Sequence, residues 1–296
     1  MLNFQSKLAQ TKRKLQSQRS VVNKVRGFTL LELIIVIIIL GVMAVGISGF
    51  ITLATQTYLN VSERDDLLSS ARFAVERLNR ELRNAVPNSI RVINDTSRQC
   101  IEFTPIKAST IYTDIPVVPD PKLGEINVVS FVDSKGDPFS CTGFCLDYIV
   151  VYPLNASDIY NLDVNTGDGK VTAFKSFSGL SGDIWTVPIR PNGGMVFDEH
   201  SPTNRLYIFD APIAYCVDNS ELRRYNEQGI KAIQSLEPTG GFSLMAESLI
   251  YDKDDLPFKF LPASLRRNAI VQVKLNFDRD GEVISFDNDV HIENIP

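Results

Sequence analysis

Hydrophobic and polar positions follow three successive patterns along the chain, and the first is a continuous apolar run. Residues 28–47 have the sequence FTLLELIIVIIILGVMAVGI, 20 residues in which Glu32 is the single charged side chain. About 20 apolar residues are needed to cross the hydrocarbon core of a bilayer as an α-helix. This run therefore predicts a membrane-spanning helix.

Beyond the apolar run, hydrophobic positions recur every three or four residues. The repeating positions are Leu67, Ala71, Val75, Leu78, Leu82 and Val86. This spacing is typical of one face of an amphipathic helix, and Pro87 ends the pattern because proline disrupts a helix interior. We predict a single helix over residues 29–86, which is apolar in its first half and amphipathic in its second half.

After Pro87 the pattern changes to short segments rich in Val, Ile, Tyr and Phe between turn residues, which is typical of strands. The predicted strand segments are 100–104, 126–132, 146–152, 170–174, 205–217, 222–225 and 269–287. Turn residues at 218–220 and 278–281 predict two hairpins. Segments 105–121 and 178–204, which are rich in turn-forming residues, are predicted to be long surface loops. A long helix followed by antiparallel strands predicts an α+β fold.

Charge is distributed unevenly along the chain. Residues 1–27 contain seven Lys or Arg and no Asp or Glu, which leaves 23 basic and 35 acidic residues in 28–296, a formal charge of −12. A basic flank beside an apolar helix is retained on the cytoplasmic side of a membrane. The acidic remainder argues against a nucleic-acid partner, since binding to nucleic acid requires clustered Lys and Arg.

The four cysteines all follow the apolar run, on the side predicted to be exported, and they are Cys100, Cys141, Cys145 and Cys216. An even number of cysteines in an oxidising compartment favours disulfides. The Cys141-x3-Cys145 spacing leaves a metal site as an alternative, but neither histidine of the chain lies nearby in sequence. We take Cys100 with Cys216 and Cys141 with Cys145 as the working assignment among three possible connectivities.

Residues for an enzyme active site do not converge in the sequence. The chain contains two histidines, no phosphate-binding glycine loop and no HExxH motif. Segment 163–169 begins like a calcium loop, but Phe174 occupies the position where the late bidentate acidic ligand is required. We therefore expect a non-enzymatic protein with no catalytic residues, no metal and no cofactor.

The boundary between the basic flank and the apolar run carries a specific motif. Lys24-Val25-Arg26-Gly27 precedes Phe28, and Glu32 follows four residues later within uninterrupted Ile, Leu and Val. This combination resembles the class III signal of type IV prepilins and the related pseudopilins. The resemblance implies that a prepilin peptidase in the inner membrane cleaves after Gly27 and N-methylates Phe28, so the mature chain keeps its apolar helix.

Glu32 requires its own explanation, because a carboxylate within an apolar helix costs about 2.5–3.5 kcal/mol on insertion scales. Cleavage creates a cationic amino group on Phe28 of an adjacent subunit at a similar membrane depth. Pairing with it would lower the cost of burial and set the register between subunits. In the alternative interpretation, Glu32 extends to the lipid headgroups from the first turn, where a carboxylate suits the helix dipole.

Three further stretches, 76–89, 205–217 and 289–296, are similar to the O-type minor pilins of mannose-sensitive haemagglutinin (MSHA) pili. This resemblance implies a structural subunit for pilus assembly, initiation or the tip complex, with a part in cell adhesion. The implied partners are prepilin peptidase, other major and minor pilins through the N-terminal helix, the inner-membrane assembly platform and, before assembly, membrane lipid.

The predicted organisation has four parts. Residues 1–27 form a leader that is removed, 28–50 the transmembrane half of the helix, 51–86 its amphipathic half, and 87–296 a periplasmic β-rich head. The chain would then be a single-pass inner-membrane protein that later joins a pilus at the cell surface. Two alternatives remain, a minor pseudopilin of a type II secretion system and a bitopic membrane receptor.

Overall fold

The computed structural model describes residues 27–133, 136–143, 146–162, 166–178, 180–190, 192–218, 220–226, 229–263, 267–279 and 281–292. Within these ranges the chain forms two helices, α1 (Leu30–Arg83) and α2 (Ala156–Tyr160). The strands are β1 (Arg91–Asn94), β2 (Arg98–Phe103), β3 (Ile106–Asp114), β4 (Glu125–Val129), β5 (Tyr148–Val151), β6 (Asp168–Gly169), β7 (Val171–Ala173), β8 (Ile184–Pro188), β9 (Val196–Phe197), β10 (Arg205–Phe209), β11 (Ile213–Asp218), β12 (Glu221–Tyr225), β13 (Phe242–Glu247), β14 (Leu249–Ile250), β15 (Phe258–Leu261), β16 (Ala269–Arg279) and β17 (Glu282–Ile292). The chain divides into two compact units, one that ends at Ser62 and one that begins at Glu63.

The first unit contains the apolar half of α1. Every residue from Gly27 to Ser62 is exposed, and the helix continues without interruption through Gly41, Gly46 and Gly49. Within the described residues, α1 is the one helix that is long and apolar enough to cross a membrane, by length and composition. The predicted long N-terminal helix is therefore confirmed.

The second unit begins with the amphipathic half of α1. The hydrophobic positions predicted from the spacing are buried, namely Leu67, Ala71, Val75, Leu78 and Leu82. They share one hydrophobic core with residues from β2, β11 and β12 and from the long hairpin β16–β17. The periodicity of the sequence thus identified the buried face of the helix correctly.

Two antiparallel sheets contribute to that first core. One has the strand order β1-β2-β11-β12-β13, and in the other β16 pairs with β14 and β15 and also with β17. A buried amide joins the two sheets, because the Gln99 side chain exchanges two hydrogen bonds of 2.7 and 2.8 Å with the main chain of Phe258. The Gln99 side chain thereby links β2 to β15 with the kind of hydrogen bonds that paired strands form through their main chains.

A six-stranded antiparallel sheet, with the order β7-β5-β10-β3-β4-β8, contributes to a second hydrophobic core. That core is rich in aromatic side chains, among them Phe131, Phe139, Phe174, Phe177 and Trp185. Its rings are closely packed, with the Phe131 and Phe139 centroids 5.0 Å apart. The predicted α+β fold, a long apolar helix followed by antiparallel sheets, is confirmed.

The predicted loop at 105–121 is wrong, because β3 occupies most of it and pairs with both β10 and β4. Its side chains alternate between buried and exposed positions, with Ala108, Thr110 and Tyr112 buried. Of the four prolines that suggested a loop, Pro105 and Pro116 lie just outside the strand, and Pro119 and Pro121 lie farther along the chain. Proline is tolerated outside a strand because no ladder hydrogen bond is lost.

Two further segments differ from the prediction. The predicted loop at 178–204 contains β8, an edge strand that ends at Pro188, and the short β9. The predicted single strand at 205–217 is two strands, β10 in the six-stranded sheet and β11 in the five-stranded sheet. Pro212 lies between β10 and β11, where the chain passes from one sheet to the other.

Both predicted hairpins are present. β11 pairs with β12, and β16 pairs with β17 over eleven residues from Arg279↔Glu282 to Ala269↔Ile292. A disulfide joins Cys100 of β2 to Cys216 of β11 at directly opposed positions, as predicted. Cys145 lies outside the described residues, so the pairing of Cys141 with Cys145 stays a prediction.

Candidate processing and assembly site

The predicted cleavage position lies immediately before α1. Gly27, Phe28 and Thr29 precede the helix, and the Phe28 side chain is 71% exposed. A Cβ atom added to Gly27 would meet nothing within 4 Å, and Gly27 does not have a left-handed backbone. Within the described chain neither packing nor backbone geometry requires glycine here.

Thr29 caps the first turn of α1. The Glu32 main-chain N–H donates to Thr29 Oγ1 at 3.3 Å, and the Leu33 N–H donates to the Thr29 carbonyl oxygen at 3.2 Å. The first N–H groups of a helix have no partner within the helix, so this cap satisfies one of them. This capping function was not predicted from the sequence, although Thr29-Leu30-Leu31-Glu32 has the T-x-x-E spacing of a capping box.

Glu32 is exposed in the first turn of α1, among apolar side chains that are also exposed. In the described part of the chain, Glu32 takes part in no ion pair. Its position in the first turn suits the positive end of the helix dipole. The contact with an adjacent Phe28 amino group is one between chains and stays a prediction.

A second set of polar contacts fixes the amphipathic half of α1 to the five-stranded sheet. Glu81 accepts hydrogen bonds from Arg77 Nε at 3.0 Å, Tyr215 Oη at 2.8 Å and Arg224 Nε at 2.9 Å. Burial alone would raise the pKa of Glu81, but the hydrogen bonds from Arg224, Arg77 and Tyr215 lower it below its ordinary value. The same partly buried site raises the pKa of Tyr215, through burial and then through the Glu81 charge.

Another buried ion pair lies at the start of the sheet, between Arg91 of β1 and Glu102 of β2, at 3.0 Å. Arg91 also donates to the carbonyl oxygens of Lys231 and Ala232, and its guanidinium lies 3.6 Å from the ring centroid of Tyr160. Burial raises the pKa of Glu102, while Arg91 partly opposes this shift. A carboxyl with a perturbed pKa can also mark a catalytic site. Here the contacts of Arg91 connect β1, β2 and the segment at 231–232, and these structural contacts account for the environment of Glu102.

Metal-ligating side chains do not cluster in the described ranges, where no group of three or more His, Cys, Asp or Glu is placed to hold an ion. Residues 163–165, the first three of the segment 163–169 that begins like a calcium loop, lie outside these ranges.

Comparison with known proteins identifies one segment. A family model described as the prokaryotic N-terminal methylation motif matches residues 22–48, and no curated protein or solved structure matches the chain. The matched segment includes Gly27, Phe28 and Glu32 and the apolar start of α1. The chain therefore carries the methylation motif of prokaryotic prepilin-like proteins, and its apolar N-terminal helix fits a membrane-anchored protein of this kind.

Proposed function

We propose that this chain, with its N-terminal methylation motif, is a minor subunit of a type IV pilus, cleaved after Gly27 and anchored by the helix that remains. The observation that carries the proposal is the order of the parts, because the cleavage position within the motif, after Gly27, precedes the apolar helix that begins at Leu30. A secretory signal has its apolar region before the cleavage site and loses it on processing. Here the mature chain would keep it.

The geometry at the motif supports this order of events. Gly27 and Phe28 lie outside the regular helix and are exposed, while Thr29 caps a helix that begins at Leu30. An exposed backbone outside the regular helix at the cleavage position suits entry into a protease site. Cleavage would remove the basic leader and leave the helix with its cap. The same peptidase would then methylate the new amino group of Phe28.

Assembly would proceed through the N-terminal helix. In the membrane its apolar surface contacts lipid, and in the filament it contacts the helices of other major and minor pilins, delivered by the inner-membrane assembly platform. Glu32 of one subunit would pair with the Phe28 amino group of its neighbour. The function is structural rather than enzymatic, with the β-rich head on the periplasmic side and later at the cell surface.

The filament system is the finer part of the proposal. The three stretches that resemble O-type minor pilins favour the MSHA pilus, where such a subunit would act in initiation, in the tip complex or in adhesion. A minor pseudopilin of a type II secretion system shares the motif and the fold. Deleting the gene separates the two, since loss of surface pili supports the pilin and loss of secreted enzymes with normal pili supports the pseudopilin.

Replacing Gly27 with leucine tests the processing step. We expect the Gly27→Leu chain to accumulate in the membrane as full-length precursor and to be absent from sheared pili. A matched control is Gly46→Ala, because a Cβ at Gly46 also meets nothing within 4 Å and alanine favours helix. Normal processing and normal incorporation of Gly27→Leu would contradict the proposal.

A further inference from the structure

β17 presents the longest unpaired strand edge in the described chain. It has eleven residues and pairs with β16 alone. The other strands with a single strand partner in the described chain are shorter, and the longest of them are β13 with six residues and β8 with five. An exposed edge of this length is a template for pairing with another chain, and proteins normally shorten or cover it.

Main-chain hydrogen bonds of β16 show which residues of β17 face outward. The N–H groups of Lys274 and Asp278 donate to Pro257 and Ser248, on the side of β14 and β15. The alternate residues of β16, such as Phe277 and Arg279, therefore face β17, where they are opposite Ile284 and Glu282. The remaining residues of β17 direct their N–H and C=O groups away from the sheet, and these are Val283, Ser285, Asp287, Asp289 and His291.

These five residues are all exposed, and Val283 retains 56% of its accessible surface. The alternate side chains of β17 face the other way, where Val290 and Ile292 are buried in the first core. β17 is therefore held firmly by one face and one edge. Its other edge offers about 30 Å of regular strand to a partner.

Charge determines which partner fits. Asp287 and Asp289 lie two positions apart on the exposed face. Asp289 accepts a hydrogen bond from the neutral Gln272 side chain at 3.1 Å, and Lys274, opposite Asp287, forms its ion pair with Asp255 at 2.5 Å. A second copy of this chain fits poorly, because the antiparallel register that overlaps all five edge residues is centred on Asp287 and places it opposite its own copy. Like charges directly opposed across strands are destabilising.

We propose that the outer edge of β17 binds an extended segment of another protein by strand addition, and that the segment carries Lys or Arg at alternate positions. Main-chain hydrogen bonds to the five outward residues would supply affinity, and the two carboxylates would select basic side chains. This inference does not depend on the proposed filament function, since it rests on the second unit alone.

The test uses the purified full-length protein in detergent and a synthetic peptide about ten residues long, with lysine and threonine alternating. A matched peptide has glutamate in place of lysine. Amide hydrogen exchange is followed at single-residue resolution by mass spectrometry. We expect the lysine peptide to slow exchange at residues 283, 285, 287, 289 and 291, while the intervening amides, already bonded to β16, change little.

Charge reversal on the edge supplies the control. The double variant Asp287→Lys/Asp289→Lys should weaken binding of the lysine peptide by about tenfold or more. The matched double variant Glu125→Lys/Asp183→Lys, which alters two exposed acidic residues at or beside β4 and β8, should bind the lysine peptide as the unaltered protein does.

Three results would overturn the inference. The first is no protection of the outward amides by the lysine peptide. The second is equal protection by the glutamate peptide. The third is protection of these amides that rises with protein concentration in the absence of any peptide, which would identify a second copy as the occupant.

Discussion

At the scale of single residues, Thr29 and Glu32 act at the same helix terminus by different means. Thr29 Oγ1 accepts the Glu32 main-chain N–H at 3.3 Å, whereas the Glu32 carboxylate contributes a charge that the described chain does not pair. Thr29→Ala should cost roughly 1 kcal/mol of helix stability and still allow incorporation into pili. Glu32→Gln should keep the cap and reduce incorporation, because in the proposed subunit contact the Phe28 amino group would lose its counter-charge. The measurement is the amount of each variant in sheared pili relative to the membrane fraction; equal incorporation of both variants would contradict the subunit contact.

Gly194 is a second residue with a specific physical requirement. Its φ is +85°, and a Cβ there would lie 2.9 Å from main-chain atoms of Lys122 and Leu123. We expect Gly194→Ala to lower the free energy of unfolding by about 2 kcal/mol or more, through backbone strain and steric overlap. Gly193→Ala is the control, since its Cβ would meet nothing within 4 Å. Denaturant titration of both variants measures the difference, and equal stability would be evidence against this geometry.

Glu81 links stability to pH. Its pKa in the folded protein is below the ordinary value of 4.5, so folding favours the carboxylate. The stabilisation is complete above that ordinary value and is lost as the pH falls through the folded pKa. At pH 7, Glu81→Gln should lower the free energy of unfolding by about 2–3 kcal/mol.

Denaturant titrations at pH 7 and at about pH 3 test this expectation, because the difference between Glu81→Gln and the unaltered protein should shrink at the lower pH. Glu76→Gln, at an exposed position of the same helix, should change stability by less than about 0.5 kcal/mol. A difference for Glu81→Gln that stays constant with pH would show that the charge of Glu81 is not what stabilises the fold.

At the scale of elements, sequence patterns predicted the long helix and the hairpins, whose formation depends on residues close together in the sequence. The three-to-four spacing from Leu67 to Leu82 identified the buried face of α1, and turn residues identified both hairpins. The prediction failed at β3, where the prolines beside the strand resembled those of a loop, and at β8, which ends at Pro188 within a segment rich in Gly, Pro, Ser and Asn. It also missed the division of 205–217 into two sheets, because sheet membership depends on contacts distant in sequence.

The Cys100–Cys216 disulfide is the element-scale feature with the largest expected effect on stability. It joins β2 to β11 across 116 positions of sequence, and a covalent link over a loop of that size reduces the entropy of the unfolded chain. The double variant Cys100→Ala/Cys216→Ala should lower the free energy of unfolding by about 3–5 kcal/mol. Denaturant titration measures it, and a loss below about 1 kcal/mol would contradict the expectation.

At the scale of the whole molecule, the candidate site could be predicted because its residues are close together in the sequence. Gly27, Phe28 and Glu32 lie within one short segment, so their order relative to the apolar run was visible in the sequence. The exposed edge of β17 could not be predicted from the sequence, because the pairing of strands in the folded sheet determines which strand has an unpaired edge. The helix cap at Thr29 lies between these cases, since its spacing was present in the sequence but its hydrogen bond is a property of the fold.

The central claim is that the chain is cleaved before its membrane helix and keeps that helix. Intact-mass spectrometry of the protein isolated from membranes and from sheared pili tests this claim most directly. We predict a chain that starts at Phe28, carries one N-methyl group and contains the whole apolar segment. A chain that still begins at Met1, or one that begins beyond the apolar segment, would contradict the claim.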